Sequence, residues 1–208
     1  MTIATIDFVP TELARGRGGG GPAPTRIVVA YGFWIFLLSD FVLFSGLFAA
    51  YAVLSGNTAG GPTGSELFNL RSVFIETMCL LFSSYTCGLG ALSAERRQPG
   101  RFLVFNALTF ALGAAFLIIE STEFAGLVAK GARPSRSAFL SSFFTLVGTH
   151  GVHVTAGLIF LVYMMAQVIA KGLRPHVLRR LLCFSLFWHA LDIVWVGVFT
   201  LVYLMGAR

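Results

Sequence analysis

Five apolar runs, each long enough to cross the hydrocarbon of a bilayer, decide what this chain can fold into. Crossing takes roughly 20 apolar residues at about 1.5 Å of rise each, and the runs near 27–54, 72–93, 102–123, 138–170 and 181–205 all meet that length. Short polar loops separate them and none alternates apolar with polar residues, so the spans read as helices and not as strands of a barrel. Composition agrees, with 56% of residues hydrophobic and only 12% charged, against about 25% charged in an ordinary soluble domain. The expected fold is an all-α membrane protein, a five-transmembrane-helix bundle forming one domain over 27–208. Before it lies a polar tail, 1–26, which contains Gly18-Gly19-Gly20-Gly21-Pro22 and lacks the compact apolar core of a cleavable signal peptide. It reads as a flexible extension.

A net charge of +6 raises the question of nucleic acid, but the basic residues sit in loops and tail rather than along one stripe, so no nucleic-acid partner is expected. Their placement orients the helices instead, because cytoplasmic loops keep the excess of Lys and Arg. Arg15, Arg17, Arg26, Arg96, Arg97, Arg101, Lys171, Arg174, Arg179 and Arg180 fall on one side; Arg71, Lys130, Arg133, Arg136 and Arg208 fall on the other. The N-terminus is therefore expected in the cytoplasm and the C-terminus on the periplasmic side. Cys79, Cys87 and Cys183 all lie inside spans, which makes them small packing residues and implies no disulfide or metal framework.

Ionisable residues within the spans need an explanation, since a charge at the bilayer centre costs about 2.5 to 3.5 kcal/mol on the insertion scale. Asp40 in the first span, His150 and His153 in the fourth, and His189 and Asp192 in the fifth fall at intermediate depth. Glu76, Glu120 and Glu123 gather toward the outer side. Spaced i and i+3, His150 and His153 share one side of their helix, and Gly148, Gly151 and Gly157 thin it so that a neighbouring backbone comes close. That side faces protein. The mid-depth residues are read first as interhelical hydrogen-bonding groups. A lipid or ligand pocket, a proton path and a redox centre are the other uses such residues have. For the outer layer, Glu76 and Glu120 with a basic neighbour such as Arg133 form a candidate phospholipid crevice. Haem ligation would draw on His150 or His153 with His189, but two haems would need two such pairs and His176 lies in a loop. Zinc or di-iron is disfavoured, because neither His-Glu-x-x-His nor the Glu-x-x-His helix pattern occurs. No catalytic, cofactor-binding or metal-ligating residue is therefore assigned.

Four stretches carry a family resemblance: Gly32-Phe33-Trp34-Ile35-Phe36-Leu37-Leu38-Ser39-Asp40, Asn57-Thr58-Ala59-Gly60-Gly61-Pro62-Thr63-Gly64, Val147-Gly148-Thr149-His150-Gly151-Val152-His153-Val154, and Phe187-Trp188-His189-Ala190-Leu191-Asp192-Ile193-Val194-Trp195. In these the chain resembles subunit III of the haem-copper respiratory oxidases, above all the five-helix branch found in bacterial cytochrome bo-type ubiquinol oxidases. The resemblance implies an accessory subunit of the bacterial inner membrane that holds no haem or copper. Those cofactors belong to subunit I. Subunits I, II and IV and phospholipids are the implied partners, and support of assembly and stability is the implied role, in a complex that reduces dioxygen to water while pumping protons. Asp40, in Ser39-Asp40-Phe41-Val42-Leu43-Phe44, stands where larger relatives carry a carbodiimide-reactive Glu. Those relatives have two further N-terminal helices, so their loss here implies a face built for a partner, such as Gly46 with Ala50 or Ala111 with Ala115. Within the family, a cytochrome c oxidase subunit III or a nitric oxide reductase accessory protein is the alternative. An independent ion or proton transporter is the alternative outside it, though no broken helix pair or inverted repeat supports that.

Overall fold

A computed structural model describes residues 24–60, 64 and 69–206. The glycine-rich run of the tail and the expected turn at 61–63 lie outside the described residues. Five helices are each long and apolar enough to cross a membrane: α1, Thr25–Leu54; α2, Leu70–Glu95; α3, Pro99–Ala129; α4, Ala138–Lys171; and α5, Pro175–Val198, continued by a π-helical turn, Phe199–Leu204. No strand occurs among the described residues. The chain is a multi-span membrane protein.

Helix ends overrun the apolar runs, because hydropathy marks what lies in lipid while caps mark where the backbone stops. Helix α2 starts at Leu70, two residues before the apolar run, where the Asn69 side chain accepts the Arg71 N–H. Helices α3 and α5 start earlier than expected on Pro99 and Pro175, first-turn positions at which proline loses no hydrogen bond. Helix α3 also runs on past Glu123 to Ala129.

The connection between α2 and α3 is a tight three-residue turn. Arg97 adopts φ 57°, the Arg97 N–H donates to Ala94 O at 3.0 Å, and the Gln98 N–H donates to Ser93 O at 3.0 Å. This is a Schellman closure, with an arginine in the left-handed position that glycine usually takes. The resulting hairpin packs intimately: Asn106 lies so close to Gly90 that a Cβ there would stand 2.5 Å from its Nδ2. At the far end of α3 the chain turns at Gly131 (φ 80°), passes a 3-10 turn at Pro134–Arg136, and enters α4 with the Ser137 Oγ accepting the Leu140 N–H.

Helices α2 to α5 form the compact part of the bundle, and α1 packs mainly on α4 and α5. Only Leu37, Phe44 and Tyr51 of α1 are buried. Seven residues apart, they form one seam along the helix. The side of α1 that carries Gly46 and Ala50 is uncovered. The main core gathers Phe116, Phe143, Leu146, Val147, Trp195 and Tyr203, and a smaller one around Phe102, Met164 and Val177 closes the end where α2 meets α5.

Candidate functional site

Polar residues inside the bundle fall into three groups, each set by a close approach of helices. In the first, Trp188 of α5 reaches across the bundle. Its indole N–H donates to Ser83 Oγ of α2 at 2.9 Å, and its ring lies between Gly113 of α3 and Gly157 of α4. A Cβ at Gly113 would stand 3.0 Å from Cη2, and one at Gly157 would stand 2.9 Å from Cζ3. One side chain thus links four helices. Trp195 does similar work deeper along α5, donating to Thr77 Oγ1 at 3.1 Å, and the Thr86 and Thr109 hydroxyls, 2.8 Å apart, join α2 to α3.

The second group holds the mid-depth residues. His150 is fully buried at 0% exposure, and neither ring nitrogen has a hydrogen-bond partner among the described residues. Aromatic rings enclose it: Trp195 at 5.1 Å between centroids, Phe116 edge-on at 5.8 Å and Phe44 at 6.4 Å. His150 therefore ties α1, α3 and α5 to α4 through ring packing rather than through hydrogen bonds. His153 packs on Phe44 at 5.2 Å, and its Nδ1 donates to the Thr149 carbonyl of its own helix at 2.8 Å. His189 does cross between helices, with Nδ1 2.7 Å from Ser84 Oγ. Asp192 lies near both, its Oδ1 buried without a hydrogen-bond partner among the described residues. Asp40 is half-buried and lines a narrow crevice with Phe41, Phe44, Phe187 and Leu191. The structure brings His189 to Asp192 and His150 to His153, but it does not join the four into one site.

The third group is the carboxyl layer. Glu76 is completely buried, and neither of its oxygens has a hydrogen-bond partner among the described residues. Glu120 and Glu123 of α3 lie near enough to act on it electrostatically. Glu120 rests on bare α4 backbone, since a Cβ at Gly151 would be 3.2 Å from its Oε2. That contact makes Gly151 a neighbour of the carboxyl layer, one residue from His150. Glu123 and Lys130 line an open cavity of about 230 Å³ with Asn69, Ser72 and Thr122. Arg133 is exposed and forms no ion pair with Glu76 or Glu120; the only ion pair among the described residues is Arg26 with Glu95.

No three His, Cys, Asp or Glu side chains converge on a metal-sized site among the described residues. What the interior offers is helix-to-helix adhesion. Much of it comes from the two tryptophans and from Thr77, Ser83, Ser84 and Thr86, hydroxyl residues that the sequence reading did not single out. The signal was there: Glu76, Ser83 and Gly90, with Thr77 and Ser84 beside them, recur every seven residues on α2, the repeat of a buried seam.

Residues 19–207 match the family described as Cytochrome c oxidase subunit III. Among curated proteins, the chain is 55% identical over 177 residues to the Cytochrome bo(3) ubiquinol oxidase subunit 3 of Pseudomonas aeruginosa, covering 85% of each. It is 51% identical over 175 residues to the protein of that name from Pseudomonas putida, covering 84% of each. It is also 45% identical over 175 residues to the Quinol oxidase subunit 3 of Bacillus subtilis, covering 84% of this chain and 86% of that protein.

Proposed function

The chain belongs to the cytochrome c oxidase subunit III family, and from that premise we propose that it is the accessory subunit III of a haem-copper quinol oxidase. The observation that carries the quinol assignment is the agreement of relatives from distant bacteria, all named for quinol oxidation, over more than four fifths of the chain. Dioxygen chemistry, haem and copper belong to subunit I, and subunits II and IV complete the complex. This chain lends shape. It lies in the bacterial inner membrane with its N-terminus in the cytoplasm and its C-terminus in the periplasm, following the excess of basic residues on the tail and on the loops after α2 and α4.

Asp40, His150, His153, His189 and Asp192 act as structural groups, holding α1 and α5 to the rest. The uncovered side of α1 with Gly46 and Ala50 is the face offered to a neighbouring subunit. Phospholipid is the second partner. In the outer layer its contact is the Glu123 and Lys130 opening, with Glu76 and Glu120 behind it and Arg133 solvent-facing, a narrower role than a crevice built from Glu76, Glu120 and Arg133 together.

A tag on this chain tests the reading. Purification in mild detergent is expected to bring down haem absorbance and ubiquinol-oxidising activity in step. Recovery of a complex that oxidises cytochrome c and not quinol overturns the quinol assignment, and recovery of the chain alone with proton flux in liposomes overturns the accessory role.

A further inference from the structure

Glu76 of α2 is 0% exposed and Glu120 of α3 is 4% exposed, and each carries an oxygen with no hydrogen-bond partner among the described residues. Glu123, one turn after Glu120, has one buried oxygen in the same condition, and it also lines the open cavity of about 230 Å³ beside Lys130. Glu120 and Glu123 act electrostatically on Glu76, which comes from a different helix. Their depths agree. Glu76 and Glu123 each stand six residues, about 9 Å, from the end of their helix on the same side of the bundle, and Glu120 lies about 5 Å further in. Tyr203 reaches the group from the π-helical turn Phe199–Leu204, a kind of distortion that recurs at functional sites. No basic side chain pairs with these carboxyl groups, since the only ion pair among the described residues is Arg26 with Glu95 at the opposite end.

We propose that Glu76, Glu120 and Glu123 form a proton-binding site, a store of protons that exchanges with the aqueous phase through Glu123 and the opening beside Lys130. The geometry favours that occupant over others. A metal ion needs several converging ligands, and no three acidic or imidazole side chains converge on a metal-sized site among the described residues. An organic cation needs room beside Glu76, which is wholly enclosed. A proton needs neither. Placed on one carboxyl, it removes the charge that burial penalises and supplies an O–H donor to a neighbouring oxygen, so groups that repel as carboxylates attract as acid and acceptor. The cavity at Glu123 has room for several waters at about 30 Å³ each. Glu123 therefore stands between water and the two carboxyl groups behind it. The other titratable groups around the cluster are Tyr51 of α1, Cys79 of α2 and Tyr203, with His150 of α4 one residue from the Gly151 backbone on which Glu120 rests. Lys130 lines the opening and makes no ion pair with Glu123. By the orientation proposed above, the exchanging phase is the periplasm. The inference rests on this chain's own carboxyl groups and not on which oxidase the chain serves.

The test is infrared spectroscopy of the intact complex in nanodiscs, which separates the C=O stretch of a protonated carboxyl from the stretches of a carboxylate. At neutral pH, wild type minus Glu76→Gln and wild type minus Glu120→Gln are each expected to contain a protonated-carboxyl band and no carboxylate band. On transfer to deuterium oxide those bands are expected to shift as deuterium enters. Glu123→Leu, which keeps the bulk and removes the group that passes protons inward, is expected to slow that shift about a hundredfold. Should a variant fail to assemble, the wild-type complex decides the matter before and after detergent removal of this subunit, because exchangeable protonated-carboxyl bands are expected to leave with the chain. A carboxylate band in either difference spectrum, exchange as fast in Glu123→Leu as in wild type, or no protonated-carboxyl band lost with the subunit overturns the proposal. So does a metal ion or a partner's cationic side chain against Glu76 in an electron cryo-microscopy map. The readout is a carboxyl vibration and not electron transfer, so its failure leaves the oxidase assignment standing, and failure of haem copurification leaves the spectra interpretable.

Discussion

Substitution of Gly157 by alanine tests whether Trp188 is the peg that locks four helices. The added methyl would stand 2.9 Å from Cζ3 and 3.1 Å from Cε3 of the indole, and 3.2 Å from Cε1 of Phe187. Carbon atoms rest at about 3.5 to 4.0 Å, so the ring must shift by roughly 0.6 to 1 Å. It has nowhere to go. Gly113 lies on its other side, where a Cβ would be 3.0 to 3.1 Å from Cη2 and Cζ2, and Nε1 is tethered to Ser83 at 2.9 Å. Overpacking of this kind costs about 1 to 3 kcal/mol. Alanine's helix preference over glycine, about 1 kcal/mol in water, offsets part of that, leaving a net loss of up to about 2 kcal/mol for either glycine, and about 1 to 3 kcal/mol relative to a glycine-to-alanine change in open space. The pair Gly113→Ala/Gly157→Ala should lose more than the sum, by about 0.5 kcal/mol or more, since a ring that can lean away from one methyl cannot lean away from two. The assay is the temperature at which half of a purified detergent-solubilised complex has released this subunit. Gly88→Ala is the control, because nothing lies within 4 Å of the added atom. If Gly157→Ala melts with the control and the double variant is additive, the indole is not locked and the peg is wrong.

Other substitutions separate packing from hydrogen bonding. His150→Phe is expected to leave subunit release unchanged within about 0.5 kcal/mol, since no hydrogen bond is lost, while His150→Ala opens a cavity and costs about 2 to 4 kcal/mol; equal damage from both would mean the nitrogens matter. A double-mutant cycle on Ser84→Ala and His189→Phe should return a coupling of about 0.6 kcal/mol, as for other hydrogen bonds inside bilayers, and zero coupling would remove that bond from the account. Glu76→Gln keeps the shape and breaks no hydrogen bond or ion pair, so the complex should melt at or above the wild-type temperature; a loss of several degrees would reveal a partner for the carboxylate. Arg26→Gln should cost less than about 1 kcal/mol, with the difference vanishing in high salt, because the Arg26 and Glu95 side chains are 63% and 58% exposed.

The number of helices and their type were legible because length and hydropathy set them directly, with no tertiary information needed. Their ends were less so. Pro99 and Pro175 start helices several residues outside the apolar runs, where Arg101, Arg179 and Arg180 look like loop but are helical turns at headgroup depth. Depth along each helix was also readable, which is why Glu76, Glu120 and Glu123 were expected together and lie together. What could not be read was direction around the helix axis. His150 and His153 lie three residues apart, yet one points into a box of aromatic rings and the other back along its own helix. The same limit hid the reach of Trp188, since nothing in its neighbourhood announces that Gly113, Gly157 and Ser83 from three other helices meet it. Arg97 is a further case: its left-handed backbone and its reach to Leu173 depend on a turn that sequence shows only as polar residues between two spans.

Removal of this chain from the assembled oxidase, followed by a haem spectrum of what remains, tests the accessory role most directly. Dissociation by detergent should leave haem per copy of subunit I unchanged and release a colourless subunit, with loss confined to heat stability and sustained turnover. A fall in haem content in proportion to the subunit removed, with absorbance following this chain, would contradict the reading.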